Sequence, residues 1–450
     1  MTTALLTDHY ELTMVRAALG AGTAFRRSVF ELFPRRLPEG RRYGVVAGVG
    51  RALDAVGEFN FDDETLTYLR DTDVINDDVA QWLASYRFTG NMWGYAEGDM
   101  YFPGAPLLVV EGNFAEACIL ETLLLSIYNH DSAIASAASR MTAMAGERPC
   151  IEMGSRRTHE WSAVAAARAA YLAGFSATSN LEAGRLHGVP TRGTAAHSFT
   201  LLHDDEEEAF AAQIKALGES TTLLVDTFDM EDAIRTGVRL TEGRLGAIRL
   251  DSGDLALVAN EARDLLDDLG ATNTKIIVTS DLDEWQIAAL RGAPVDGYGV
   301  GTSVATGSGH PTCGFVYKLV AKADSDEPDA PLHPVAKKSA NKNSIGGRKF
   351  ALRRMDAHGH AEAEIVGIGT PPASDGNDRE LLVELIRSGA VVGREHLDAA
   401  RDRHARCRAE LPASALRVSK GDPAIPTIIL EADGEVADNP YLRSVNPPNI

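Results

Sequence analysis

His197 lies in Gly193-Thr194-Ala195-Ala196-His197-Ser198, among small residues that let a reactant approach its imidazole closely. An imidazole there can serve as general base, metal ligand or phosphoryl acceptor, and a hydrogen-bonded structural histidine is an equally open reading. Asp251-Ser252-Gly253-Asp254 sets two carboxylates, a hydroxyl and a flexible backbone position in one turn. Hard oxygen groups of this kind hold Mg²⁺ or ribose hydroxyls, and the same residue types cap helix N-termini. Gly299-Val300-Gly301-Thr302-Ser303 can bring backbone amides against a phosphate, or can be an ordinary strand-to-helix turn. Arg249 falls inside an apolar run, and Arg156 and Arg157 follow another. A guanidinium in such a place needs an anion, either a bound carboxylate or phosphate or a neighbouring structural Asp. Lys337, Lys338, Lys342, Arg348 and Lys349 form a basic segment that reads as a phosphate grip or a solvated hairpin. His358 and His360, around Gly359, have no third ligand nearby and read as a turn.

These groups are spaced by one repeated grammar, a short apolar run ending on Asp, Ser, Thr or Gly and followed by a helical segment. It occurs at Leu223–Asp226, Ala247–Asp254, Ile276–Asp281 and Tyr298–Thr302, and upstream at Cys150–Gly154, Phe175–Asn180 and Val189–His197. Polar residues at the carboxyl ends of parallel strands gather on the face where a (β/α)8 barrel carries its active site. The seven strand candidates sit closer together than in a typical barrel of about 250 residues, so one stave is irregular or borrowed. The expected fold class is α/β: an irregular (β/α) TIM-like barrel over 146–325, after an α+β N-terminal domain over 1–145 and before a smaller C-terminal α/β cap over 326–450. In the N-terminal part the pattern predicts a helix over Asp8–Gly20, a strand over Arg27–Phe33, and acidic helices near Asp62–Arg70 and Asp77–Tyr86. Strands follow near Met92–Ala96 and Leu107–Glu111, then a long apolar bridging helix from Phe114 to about Met144. Asp204–Glu208 reads as a solvated helix start and Arg379–Arg408 as largely helical.

The chain has 450 residues, enough for roughly two to four domains. Its net charge of −20 argues against general affinity for nucleic acid or anionic membrane, so the positive site for an anionic substrate must be local. The four cysteines are far apart and suggest neither a zinc knuckle nor a disulfide framework, which fits a reducing cytosol. No apolar stretch reaches the roughly eighteen residues of a membrane span, and the expected location is the cytoplasm.

The chain resembles the nicotinate phosphoribosyltransferase family. The resemblance is carried by Thr7-Asp8-His9-Tyr10-Glu11-Leu12-Thr13-Met14, Phe30-Glu31-Leu32-Phe33-Pro34, Glu152-Met153-Gly154-Ser155-Arg156-Arg157, Gly193 to Phe199, Arg249 to Asp254, Gly299 to Thr302 and Val316-Tyr317-Lys318-Leu319. It implies an enzyme of NAD salvage that joins nicotinate to 5-phosphoribosyl-1-pyrophosphate, with ATP hydrolysed to ADP and phosphate and Mg²⁺ as cofactor. It also implies a transient phosphohistidine at His197, and makes Asp226, Asp251 and Asp254 candidates to stabilise charge at the reacting ribose carbon. Arg156, Arg249, Ser252, Gly299, Gly301 and Thr302 become substrate-binding candidates. The relatives suggest a homodimer in which Tyr10 of one subunit stacks on the pyridine in its neighbour's site. Asn180 aligns with an Asp that receives an amide in the nicotinamide enzyme. A neutral residue there favours the acid substrate. Met153 stands where that relative has a stacking aromatic and is taken as packing. Nicotinamide or quinolinate as substrate, and a non-catalytic barrel that binds phosphorylated metabolites, are the competing readings.

Overall fold

Short apolar runs whose side chains are shielded on both faces favour parallel pairing with helical crossovers, and the runs between residues 150 and 300 pair that way. The structure, a computed structural model, describes residues 2–327, 329–337 and 344–437. It divides into two compact units, one of residues 134–311 and one joining residues 1–133 to 312–450. The division falls inside the helix Glu121–Ala145, which follows the short helix Phe114–Cys118; the expected bridging helix is thus broken at Ile119-Leu120.

In the unit 134–311 a six-stranded sheet runs in the order Ala177–Thr178, Cys150–Glu152, Gly297–Val300, Lys275–Val278, Ala247–Leu250, Thr222–Leu224. All of its neighbours are parallel. The helices that follow four of these strands begin at Asn180, Asp229, Asp254 and Asp283, whose side chains accept hydrogen bonds from free amides of the first turn. Polar residues at strand ends therefore do double duty, terminating the strand and starting the helix.

The stave expected over Val189–Ala196 is not a strand. It makes one parallel bridge, Thr191 to Thr178, and among the described residues no ladder joins it to Thr222–Leu224. Pro190 lacks an amide hydrogen and Gly193 gains no packing from a side chain, so this stretch makes a poor strand. Of the TIM-like barrel of the sequence reading, the structure has the parallel six-stranded sheet, a half-barrel, without a closed ring of strands among the described residues. Along Ala247–Leu250 the alternation of side chains buries Ile248 and Leu250 completely and turns Arg249 to the other face, beside Ile277 in register.

The other unit holds a seven-stranded antiparallel sheet ordered Leu332–Pro334, Phe315–Ala323, Arg27–Pro34, Leu108–Asn113, Asn91–Tyr95, Leu382–Arg387, Ala390–Val391. It also holds a four-stranded sheet of Arg379–Glu380, Lys349–Met355, Ala361–Ile368 and Thr427–Leu430. The segment 326–450 shares the larger sheet with residues 27–113, where the sequence reading sets it apart as a cap. The span Arg379–Arg408 becomes helical only at Leu397, because Leu382–Arg387, with Leu382, Val383, Leu385 and Ile386, forms a strand that pairs with Asn91–Tyr95. Two residues of the basic segment are structural: Lys349 Nζ is 2.7 Å from Glu31 with both side chains 2% exposed, and Arg348 pairs with Glu111 at 3.0 Å. Lys338 and Lys342 lie outside the described residues. His358 and His360 form a hairpin turn in which both backbone amides donate to Asp356 at 2.8 Å. The four cysteines are free and buried, and no helix among the described residues is long and apolar enough to cross a membrane.

Candidate functional site

Three strand ends and one loop bring the chemistry together in the unit 134–311. His197 opens the short helix His197–Thr200, and its Nδ1 is 3.1 Å from Thr227 Oγ1. Its Nε2 is 4.0 Å from Asp226 Oδ1 and 4.0 Å from Asp251 Oδ2. The imidazole is 43% exposed, so the nitrogen between the two carboxylates can be reached from solvent. Asp226, at the end of Thr222–Leu224, accepts at Oδ2 from the Asp251 amide (3.1 Å) and the Ser252 hydroxyl (2.7 Å). Its Oδ1 is buried with no hydrogen-bond partner.

Arg249 ties the loop of His197 to the carboxylates. Its Nη1 donates to Thr194 Oγ1 (3.3 Å) and to the Ala195 carbonyl (3.4 Å), its Nε donates to Thr279 Oγ1 (2.9 Å), and its Nη2 pairs with Asp251 Oδ2 at 3.3 Å. Thr279 in turn donates to Asp251 Oδ1. The anion that Arg249 demands is therefore Asp251, two residues along its own strand. Such a fork fixes orientation as well as charge.

A cavity of about 860 Å³ opens on the Arg249 side of the sheet. Ile151, Met153, Thr194, Arg249 and Ile277 line it, and it extends to Arg148 and Lys275 at the amino ends of the strands. His197, Asp226 and Asp251 are not among its walls, whereas their partners Arg249 and Thr194 are. Apolar walls at Ile151, Met153, Ile277 and Val295 with several cations among them, Arg148, Arg192, Arg249, Arg263 and Lys275, suit an anionic ligand.

The other sequence candidates are placed as follows. Asp254 caps the helix Leu255–Asp268 by accepting from the amides of Ala256 (3.2 Å) and Leu257 (3.3 Å), so its helix-capping role is realised. Asn180 caps its own helix through Oδ1 and donates from Nδ2 to Ser155 Oγ at 3.0 Å. Arg156 is exposed in the turn after Cys150–Glu152, and Thr302, also exposed, opens the helix Thr302–Ala305 with Gly301 at its N-cap. Tyr10, 43% exposed on the helix His9–Gly20, belongs to the other unit. Ser252 and Gly299 are beside the central network, Ser252 through Asp226 and Gly299 against Thr279.

The sequence reading missed the threonines that orient the network. Thr227 follows Asp226 directly, and Thr279 ends the run Ile276–Val278, so the repeated strand-end pattern was the available signal. It also missed Glu152, whose buried carboxylate accepts from Thr178 Oγ1 and the Gly154 amide and is held above the usual carboxyl range mainly by burial. These bonds brace the turn that carries Ser155 and Arg156.

Gly299 gives a direct test. A Cβ there would be 2.5 Å from Thr279 Cγ2 and 2.8 Å from Met153 Sδ, so Gly299→Ala must displace the threonine that orients Arg249 and Asp251. We expect a loss of about 1–3 kcal/mol of stability, the usual range for overpacking. A lower kcat/KM should accompany the fall in melting temperature; an alanine variant with wild-type melting and activity would remove Thr279 from the network.

Residues 5–129 match the family model of the nicotinate phosphoribosyltransferase N-terminal domain. The chain is 54% identical over 437 residues to nicotinate phosphoribosyltransferase pncB1 of Mycobacterium tuberculosis, covering 95% of each chain. It is 37% identical to nicotinate phosphoribosyltransferase of Bacillus subtilis over 384 residues, covering 82% of this chain and 77% of that one. In fold it is similar to the crystal structure of human nicotinic acid phosphoribosyltransferase, with a TM-score of 0.81 at 24% identity over 95% of this chain and 98% of that one. The chain belongs to the nicotinate phosphoribosyltransferase family.

Proposed function

We propose that this protein forms nicotinate mononucleotide and pyrophosphate from nicotinate and 5-phosphoribosyl-1-pyrophosphate in NAD salvage, coupled to ATP hydrolysis through a phosphohistidine at His197. The carrying observation is the convergence of His197, Asp226, Asp251 and Arg249 from separate stretches of chain. In this reading Thr227 engages Nδ1 and leaves Nε2 free to attack the terminal phosphorus of ATP, releasing ADP. The nicotinate ring nitrogen then bonds to the ribose carbon as the carbon–pyrophosphate bond breaks, and Asp226 and Asp251 stabilise the positive charge developing on the ribose. Water finally hydrolyses the phosphohistidine and frees phosphate. The phosphorylated state binds the phosphoribosyl donor more tightly than the free state, so the cycle favours capture first and release later.

Asp251 Oδ2 has only the Arg249 ion pair at hydrogen-bonding range and suits a share of Mg²⁺ held chiefly by phosphates. Bound there, Mg²⁺ would neutralise phosphate charge. Among the described residues no group of three or more His, Cys, Asp or Glu forms a cage of its own. Arg249 faces the nicotinate carboxylate from the cavity wall, and Asn180, by the family resemblance, stands neutral where the nicotinamide enzyme has an Asp, so the acid is not repelled. The reading takes the protein as a cytoplasmic homodimer in which the exposed Tyr10 of one copy stacks on the pyridine bound by the other.

The test is to incubate the purified protein with nicotinate, the pyrophosphorylated ribose, Mg²⁺ and ATP. ADP and mononucleotide should appear together; mononucleotide without ADP would refute the coupling. Offered nicotinamide or quinolinate, the enzyme should discriminate by at least about a hundredfold, the scale expected when a polar recognition group is left unpaired. Preference for nicotinamide would overturn the role given to Asn180.

A further inference from the structure

The loop after Gly297–Val300 combines two unfavourable features at one point. Ser308 has φ 51°, between Gly307 at 62° and Gly309 at 80°. Glycine takes such a conformation freely and a residue with a Cβ does not, so a serine between two glycines calls for a use of its hydroxyl. That hydroxyl donates to Glu284 Oε2 at 2.6 Å. The Glu284 side chain is 1% exposed, and its other oxygen accepts from Arg140 Nε at 2.9 Å, with the arginine side chain 5% exposed. The guanidinium also lies over the Trp285 ring, 5.6 Å from its centre. Burying such an ion pair adds little stability over apolar residues of the same size, because both ions lose their water. What it supplies is a fixed geometry.

Three segments meet at this carboxylate. Arg140 comes from the helix Glu121–Ala145. Glu284 follows the loop after Lys275–Val278, in which Ser280 is a second left-handed residue with a side chain, at φ 104°. Ser308 belongs to the loop after the neighbouring strand Gly297–Val300. The backbone carries the anchor back toward the strand end. The Ser308 amide donates to the Ser303 carbonyl at 2.6 Å, and Thr306 donates to the Thr302 carbonyl through its amide (3.0 Å) and its hydroxyl (2.8 Å). At its start the loop is pressed against the turn that carries Arg156, where a Cβ on Gly154 would be 2.8 Å from the Gly301 carbonyl oxygen and 2.5 Å from Ala305 Cβ. Gly301 and Thr302 are thus clamped from two sides, by Gly154 and by the chain of contacts from Arg140 through Glu284 to Ser308.

We propose that Glu284 is a positioning residue for the phosphoribosyl donor, holding the loop of Ser308 so that Gly301 and Thr302 meet a phosphate of that substrate in one fixed arrangement. This rests on the phosphoribosyl-transfer reading above and on Gly301 and Thr302 as contacts of the donor. A loop already held in its bound shape gives up less freedom when the ligand arrives, so the effect of the brace falls on donor affinity. Nicotinate is met by Arg249, whose contacts are Thr194, Ala195, Thr279 and Asp251. Loosening Ser308 should therefore leave nicotinate binding little changed.

The experiment compares wild type, Ser308→Gly, Ser308→Ala and Glu284→Gln in kinetics at varied donor and varied nicotinate, with melting temperatures alongside. Calorimetry with 5-phosphoribosyl-1-pyrophosphate and Mg²⁺ gives the Kd of the donor without turnover. Ser308→Gly removes the hydroxyl and relieves the left-handed backbone, so its melting temperature should stay near the wild-type value. Its Kd and KM for the donor should nevertheless rise about three- to tenfold, the scale of one hydrogen bond, with KM for nicotinate unchanged. Ser308→Ala, strained and without the hydroxyl, should show the same loss at a lower melting temperature. Glu284→Gln leaves Arg140 buried without its counter-charge and should weaken donor binding at least as much; if it fails to fold, Ser308→Gly still decides. A glycine variant with wild-type affinity for the donor would overturn the proposal, as would a loss shared equally between donor and nicotinate. A wild type that binds the donor but makes no mononucleotide refutes the phosphoribosyl-transfer reading instead, and the donor's Kd in the glycine variant then judges the brace by itself.

Discussion

Replacing Arg249 with alanine is expected to lower kcat/KM by about 10²–10³, the range for deleting one fixed donor at a reacting centre. The side chain is 15% exposed and its four contacts join three separate segments: Thr194 and Ala195 before the histidine, Thr279 on the next strand, and Asp251. Without it the histidine loop loses its tie to the sheet, and Asp251 keeps a negative charge with no guanidinium to balance it. Arg249→Lys should recover only part of the loss, because an ammonium cannot make the planar fork that reaches Thr279 and Asp251 together. Steady-state kinetics at varied nicotinate, with a melting curve as the folding control, provide the measurement. A decline smaller than about threefold in a well-folded alanine variant would show that Arg249 is structural.

His197→Ala should abolish ATP turnover coupled to product, by a factor on the order of 10³ or more, since removing a nucleophile removes the covalent route itself. Slow ribosyl transfer that no longer responds to ATP should remain, because Arg249, Asp226 and Asp251 keep their mutual contacts through Thr279 and Ser252. Release of ADP and formation of mononucleotide, followed in parallel with and without ATP, separate the two effects. Coupled ADP release at the wild-type rate in the alanine variant would end the phosphohistidine assignment.

The parallel sheet was legible because its signal is local: apolar runs at a regular interval, each closed by a polar residue. The same pattern marks His197, Asp226, Asp251 and Arg249. It could not say which strand-end carboxylates serve the site and which serve the helix. Asp254 and Asp226 look alike in sequence, yet Asp254 turns to the amides of Ala256 and Leu257 and Asp226 turns to Asp251 and Ser252. Glu284 was hidden for a related reason. A glutamate at a helix start is usually solvated, and only Arg140 and Ser308, from distant segments, give it a buried role. In the antiparallel unit the strands near Arg27–Phe33, Met92–Ala96 and Leu107–Glu111 were legible but their later partners were not, because pairings such as Ser28 with Lys322 join residues far apart in the sequence.

That last pairing has a consequence for biogenesis. Arg27–Pro34 finds its partner Leu108–Asn113 early in synthesis, but its opposite edge stays bare until Phe315–Ala323 leaves the ribosome. Meanwhile the intervening segment 134–311 can complete its own parallel sheet. A nascent chain thus carries a finished parallel sheet while a strand of its other unit is still unsealed and aggregation-prone, and its dependence on chaperones should be greatest in the interval before residue 323 emerges.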